Sequence, residues 1–398
     1  MIEKEIAKKA EGYRDYTAEN LSKIVKIPSL SGEEGDVIRE LERQCREAGF
    51  DEVRIDGLGN LIGRVGSGPK KLVFDAHIDT VDVGDRSQWK LDPFSGLVKD
   101  GLVHGRGASD QKGGAGSMVT AGRILKELSY NGQYSVYFTF TVMEEDCDGM
   151  CWKYLIEEEH FKPDYFVSTE PTSCNLYRGH RGRMEIKVNF KGLSCHGSAP
   201  ERGRNAAYMA ARGALAIEKL NGELEPDEDN FLGKGTVAVT IMNAKGPSQC
   251  AVPDIGMLYL DRRLTWGETM ESAVEEVKSV VKDYDSVEVP YYDKVSWKGT
   301  KYGQELYFPT WKLNEDHPLV QGGVEAYKRL FGKTPLIDKW TFSTNGVAVS
   351  GRHKVPTIGF GPGDEVQAHA PNEVTRVEDL VIAAKFYAML PYALESDR

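Results

Sequence analysis

Imidazoles and carboxylates gather at the ends of this chain's apolar runs. His77 and Asp79 close KLVFDAHID (Lys71 to Asp79), Glu144 and Glu145 close YSVYFTFTVMEED (Tyr134 to Asp146), and Glu170 ends YFVSTE. Asp110 follows the glycine-rich turn GRGAS just before a helical pattern, and His369 lies in GPGDEVQAHAPNE after a late apolar run. Such runs read as buried strands, and in an open α/β sheet ligands bind beyond the carboxyl ends of the strands. The side chains are therefore expected to converge on one crevice. Carboxylates crowded there repel one another, and a bound cation is the usual remedy. His77, Asp110, Glu145, Glu170 and His369 offer ligands for two divalent ions. Imidazole and carboxylate without thiolate suit zinc or a similar borderline ion, with cobalt and manganese as alternatives.

Two such ions are balanced in charge by three carboxylates and one bridging hydroxide. A pair of this kind lowers the pKa of bound water toward about 7 and clamps the attacking and developing oxygens, which points to hydrolysis of an amide. Successive strand side chains point in opposite directions. If Glu145 binds metal, Glu144 is free to face the water as general base and to pass the proton to the leaving amine. Asp79, two residues beyond His77, is placed to hold the second imidazole nitrogen.

Other signals carry less. His104, His160, His317 and His353 read as surface or packing residues, and a Glu-Glu pair taken alone reads as solvated charge. FGKT at Phe331 to Thr334 resembles the tail of a phosphate loop, but Tyr327 stands where its first glycine is required. GASDQ lacks the second glycine of a nucleophile elbow, and GRGASD is not a dinucleotide fingerprint. Ser194-Cys195-His196 places a thiol beside an imidazole in sequence only; a thiol-dependent hydrolase using Cys195 is the reading that would survive chelation.

The elements that must position these residues alternate between strand and helix, which predicts an α/β fold with a mostly parallel sheet and helices on both faces. A helix capped by Ser31 is expected to run through Cys45, and a strand pair to turn at Gly57 to Asn60. From Met184 the order becomes β-α-β-β-α-β, the ferredoxin-like pattern, complete in itself. It predicts a catalytic domain in two parts, 1–182 and 294–398, with a second domain inserted at 183–293. The 398 residues suffice for two domains, and Lys+Arg 50 against Asp+Glu 61 gives a net charge of -11, which disfavours nucleic acid as a partner. No membrane-length apolar run or secretory leader is visible, and six scattered cysteines form no disulfide framework, so a cytoplasmic protein with reduced thiols is expected.

The stretches FDAHIDTV, GRGASDQKGG, TVMEED, STEP, GLSCHGSAPERGRNAA and GPGDEVQAHAPNE, in this order from Phe74 to Glu373, resemble the dinuclear zinc peptidases and deacylases. That family includes glutamate carboxypeptidase, acetylornithine deacetylase, succinyl-diaminopimelate desuccinylase and aminoacylase. The chain also resembles its uncharacterised branch labelled as selenium-metabolism hydrolases, a contextual rather than a chemical label. The resemblance implies one zinc on His77, Asp110 and Glu170 and another on Asp110, Glu145 and His369, with Asp110 bridging. It implies Glu144 as base, Asp79 as orienter of His77, and a cis peptide at Asp110-Gln111. It further implies that the insertion is a lid and dimerisation domain, and that His196 crosses a homodimer interface to polarise the scissile carbonyl in the partner's site. Arg263, in LDRRL, resembles an arginine that would take the substrate carboxylate, a group that a planar guanidinium suits.

Two stretches depart from the family pattern. Cys250-Ala251-Val252-Pro253 lacks the asparagine of an N-x-[IV]-P turn. Phe342-Ser343-Thr344-Asn345-Gly346-Val347 lacks the arginine of the desuccinylases, which argues against strict desuccinylase specificity and leaves Asn345 and Gly346 as the expected substrate contacts. The leading expectation is a zinc amidohydrolase acting on a small N-acyl amino acid or dipeptide-like compound. The alternative is a metal-bearing protein that binds or regulates without turnover.

Overall fold

The strand Lys70–His77 is buried along most of its length, and its alternation accounts for both layers that cover it. In the computed structural model, which describes residues 1–395, Phe74 stacks on Phe138 and meets Tyr387 of the closing helix Val377–Glu395. Asp75 points to the opposite face, where it accepts from Thr139 Oγ1 at 2.7 Å and from Asn345 Nδ2 at 2.9 Å. On that face Trp152 of the helix Met150–Glu157 packs edge-on against Phe166. The helices Arg14–Val25 and Lys112–Glu127 join the closing helix on the Phe74 side.

The eight-stranded sheet runs in the order Glu52–Ile55, Leu61–Val65, Tyr134–Thr141, Lys70–His77, Tyr165–Ser168, Thr357–Gly359, Leu176–Tyr177, Ile337–Asp338. Its four central strands, Tyr134–Thr141 through Thr357–Gly359, are parallel, so their carboxyl ends share one edge. The sheet is thus built from chain on both sides of an insertion. The insertion has its own sheet, ordered Thr236–Lys245, Ile255–Leu264, Gly182–Lys191, Ser286–Glu288, antiparallel throughout. With the helices Ala206–Glu223 and Met270–Val280 this is the ferredoxin-like arrangement, closed around its own core of Ile186, Val188, Leu258, Leu260, Ile217 and Val277. Asn205 and Thr269 cap the two helices, each cap worth about 1 kcal/mol. The strand Tyr307–Phe308, later in the chain, also joins this sheet beside Arg183 and Met184. No helix among the described residues is long and apolar enough to cross a membrane.

One expected cap is not made. The third helix begins at Gly35, and the Ser31 hydroxyl instead donates to Asp79 Oδ2 at 2.6 Å. A buried histidine not singled out in the sequence, His180, locks the junction below the lid. Its Nδ1 donates to the Arg181 carbonyl at 2.8 Å, while Nε2 accepts from Trp311 Nε1 at 2.8 Å and from the Thr344 amide at 3.1 Å. The ring is therefore neutral, and burial pushes its pKa down to about 4. The unfolded chain takes up this proton first, so the stabilisation present above about pH 6.5 is lost as pH falls toward 4. Urea unfolding at stepped pH is expected to show a loss of about 3 kcal/mol over that window that is much flatter in His180→Gln.

Candidate metal centre

Because the central strands are parallel and in register, with His77 opposite Thr141 and Asp75 opposite Ser168, the residues that follow each strand emerge together. Met143, in the left-handed region at φ 61°, turns the chain out of its strand, and Glu144 and Glu145 follow. Their amides donate to Asp79 Oδ1 at 3.2 Å and Oδ2 at 3.0 Å, so a single carboxylate fixes the turn that carries both glutamates. Asp110 precedes the helix Lys112–Glu127 through a cis peptide bond to Gln111, as the family resemblance implied.

The Asp110 carboxylate straddles the site. Oδ1 lies 3.1 Å from His77 Nε2 and Oδ2 lies 3.5 Å from His369 Nε2. His77 Nε2 is also 3.6 Å from Glu170 Oε1 and 3.8 Å from Glu144 Oε2, and His369 Nε2 is 3.0 Å from Glu145 Oε2. All five expected ligands and Glu144 thus line one cavity of about 290 Å³. Ligand atoms of His77, Asp110 and Glu145, and of His77, Glu144 and Glu170, come together closely enough to surround an ion.

The electrostatics explain why such a cluster calls for a cation. Burial drives the pKa values of Glu144 and Glu170 well above the ordinary carboxylate range, their mutual repulsion adding to it and His77 only partly opposing it. Burial also depresses the His77 imidazolium, but Glu144, Glu170, Asp110 and Asp79 outweigh it and raise its pKa well above the usual value. The hydrogen bond to Glu145 does the same for His369. Glu144 Oε1 and Glu170 Oε2 are buried without any hydrogen-bond partner. Carboxylates that turn one oxygen toward an imidazole and keep the other buried and unpartnered are a donor set that a divalent ion fits, since each unpaired oxygen is otherwise costly.

The geometry alters several of the expected roles. His77 Nδ1 is held at 3.0 Å by the Asp79 main-chain carbonyl, with the carboxylate at 3.6 Å. The same Asp79 carboxylate accepts from the Glu144 and Glu145 amides, so Asp79 supports both the imidazole and the turn. Asn345 does not face the cavity. It is buried, donates to Asp75 Oδ2 and Thr141 Oγ1, and accepts from the Gly149 amide at 3.0 Å. Gly346 packs under Trp311, where a Cβ would come within 2.5 Å of the indole. The two are structural because the segment turns its polar face toward Asp75; Phe342 and Ser343, three residues earlier, line the cavity in their place. Asn345→Ala is accordingly expected to cost about 1–3 kcal/mol in denaturant unfolding by removing a donor to Asp75 and the acceptor of the Gly149 amide, while leaving KM unchanged in the folded fraction.

Arg263 does line the cavity, paired with Asp261 at 2.8 Å. His196 lies outside it on the exposed lid surface, its Nδ1 bonded to Ser198 Oγ at 2.7 Å rather than to Cys195. None of the described cysteines lines the cavity. Sequence reasoning passed over Asp148 and Arg183, which form a 2.9 Å ion pair between body and lid at the cavity wall, and Glu365 on the opposite rim. The signal for Asp148 was its place in the same acidic turn as Glu144 and Glu145, just before the helix Met150–Glu157; nothing local marked Arg183.

An α/β body with an imidazole–carboxylate cluster at its strand ends, beneath an inserted lid, defines a metal-dependent hydrolase. The chain belongs to the peptidase family M20/M25/M40, whose family model matches residues 73–392, and it acts on amide bonds. It is 49% identical over 389 residues to the uncharacterised protein YgeY of Escherichia coli strain K12, covering 97% of this chain and 96% of that one. It is 30% identical to a succinyl-diaminopimelate desuccinylase of Cereibacter sphaeroides, over 76% of this chain and 80% of the other. Among solved structures it is similar to the M20 family metallo-carboxypeptidase Sso-CP2 of Sulfolobus solfataricus, with a TM-score of 0.74 at 17% identity, covering 95% of this chain and 99% of that one.

Proposed function

We propose that this chain hydrolyses the amide bond of a small N-acyl amino acid or dipeptide-like compound, using two zinc-type ions held by His77, Asp110, Glu145, Glu170 and His369. The observation that carries this reading is the Asp110 carboxylate, with one oxygen turned to His77 and the other to His369. When bound, such ions supply a nucleophilic water at neutral pH and polarise the scissile carbonyl. Glu144, one residue from a ligand and with an unpartnered oxygen, takes the proton of the attacking water and returns it to the leaving nitrogen. Asp79 holds Glu144 in place through its amide. Arg263 and Arg183 stand at the lid side of the cavity, where guanidinium groups suit a substrate carboxylate. A cavity of about 290 Å³ restricts the substrate to something small.

The working unit in this proposal is a cytoplasmic homodimer joined through the lid. The outer edge of the strand Thr236–Lys245 is unpaired among the described residues and exposes Ile241 and Met242, with Tyr208 and Leu215 exposed on the adjoining helix. An uncovered apolar edge of this kind favours pairing with a second copy. The test is metal content by mass spectrometry, paired with turnover of a panel of N-acyl amino acids and dipeptides before and after chelation. About two ions per chain and chelator-sensitive turnover that thiol alkylation spares are expected. A metal-loaded protein inert on every amide would favour the binding role, and no metal under replete conditions would remove the site assignment.

A further inference from the structure

Of the proposed ligands, His369 is the one least fixed by packing. Its side chain is 57% exposed, it lies in the left-handed region at φ 60°, and it sits in a loop between a short 3-10 turn and the strand Val374–Arg376. Yet its ring must stay in register with Asp110, which arrives from a turn more than 250 residues earlier. The two loops are tied by one fully buried ion pair. Glu373 Oε1 accepts from the amides of Ser109 at 2.8 Å and Asp110 at 2.9 Å, and Oε2 accepts from the Gly107 amide at 2.9 Å and from Arg106 Nη1 at 2.8 Å. Arg106 donates onward to the carbonyls of Ala370 at 3.2 Å and His369 at 3.4 Å, its guanidinium 5.1 Å from the centre of the Trp89 ring.

We infer that Glu373 and Arg106 are positioning residues that hold Asp110 and His369 at their mutual spacing and so set the affinity of the second ion. The inference rests on the two-ion reading above. Both oxygens of Glu373 are used as acceptors toward N–H groups, so the pair needs a carboxylate. In Glu373→Gln the amide nitrogen must face one set of donors, which breaks two contacts and opposes N–H to N–H. Arg106 needs its fork, because it meets the Glu373 carboxylate and the His369 loop at once; a lysine offers a single ammonium in its place. His77 and Glu170 receive no contact from this pair, so the ion that they hold with Asp110 is less affected.

The experiment loads the full-length protein, Glu373→Gln and Arg106→Lys with zinc, then measures stoichiometry and stepwise affinity by competition with a chromophoric chelator, alongside Tm. In the wild type two ions are expected. In each variant the second ion is expected to bind ten- to a hundred-fold more weakly, the first near its wild-type affinity, with folding retained. Two ions at wild-type affinity in both variants would overturn the inference. So would equal weakening of both ions together with a large fall in Tm, the mark of general structural damage. Fewer than two ions in the wild type would instead remove the two-ion reading and this inference with it. If Glu373→Gln does not fold, Arg106→Lys decides alone.

Discussion

Glu144→Gln is expected to lower kcat by about 10²–10⁴ while the metal content stays that of the wild type. The amide is nearly isosteric with the carboxyl it replaces, and none of the five proposed ligands changes. What disappears is the carboxylate that the proposal assigns to move the proton. Glu144 is almost fully buried, 3.8 Å from His77, and its Oε1 has no partner to satisfy it. Burial and the neighbouring carboxylates hold its pKa far above the ordinary value in the ion-free protein. The amide needs neither a buried charge nor a proton taken up to avoid one, so the ion-free variant is expected to be at least as stable as the wild type at pH 7. Single-turnover rates and metal analysis on the same sample decide the matter. A variant that carries its metal and hydrolyses the same substrate at the wild-type rate would exclude Glu144 as the base.

Mixing His196→Ala protein with Asp110→Ala protein is expected to restore activity that neither has alone. His196 lies on the exposed lid surface, outside the cavity of its own chain, a position that suits the proposed contact with a partner's site. In a dimer joined through the lid, a mixed pair contains one site with an intact Asp110 and a His196 supplied by the other subunit. Random reassortment of equal amounts makes about half of all dimers mixed, each with one competent site of two, so recovery should approach about a quarter of the wild-type rate. No recovery, with mixed dimers demonstrated by mass spectrometry, would remove the trans role of His196.

The parts of this molecule that were legible in its sequence are those set by local periodicity and by strand ends. Continuous apolar runs gave the central parallel strands, and the polar residues closing them, His77, Glu144, Glu145 and Glu170, emerge at one edge because parallel strands leave no other choice. The β-α-β-β-α-β order likewise gave the lid and its separate core. What was illegible depends on contacts between distant segments. Asn345 looked like a substrate contact because of its place in a motif, but the buried charge of Asp75, 270 residues away, claims its amide. Ser31 looked like a helix cap until Asp79 took its hydroxyl. Arg183 gave no sign because its partner Asp148 lies across the junction between body and lid.

The order in which the chain leaves the ribosome bears on when this protein becomes an enzyme. Apart from the strand Tyr307–Phe308, the lid is a contiguous stretch with its own core, so most of it can fold before the body is complete. The body cannot, because its sheet needs Thr357–Gly359 and its cavity needs His369, both made after the lid. During synthesis, therefore, His77, Asp110, Glu145 and Glu170 are made well before His369, the last residue of the cluster. Completion of the cavity becomes one of the final acts of biogenesis, and a nascent chain truncated before residue 369 would carry most of its imidazole and carboxylate groups and none of the finished site.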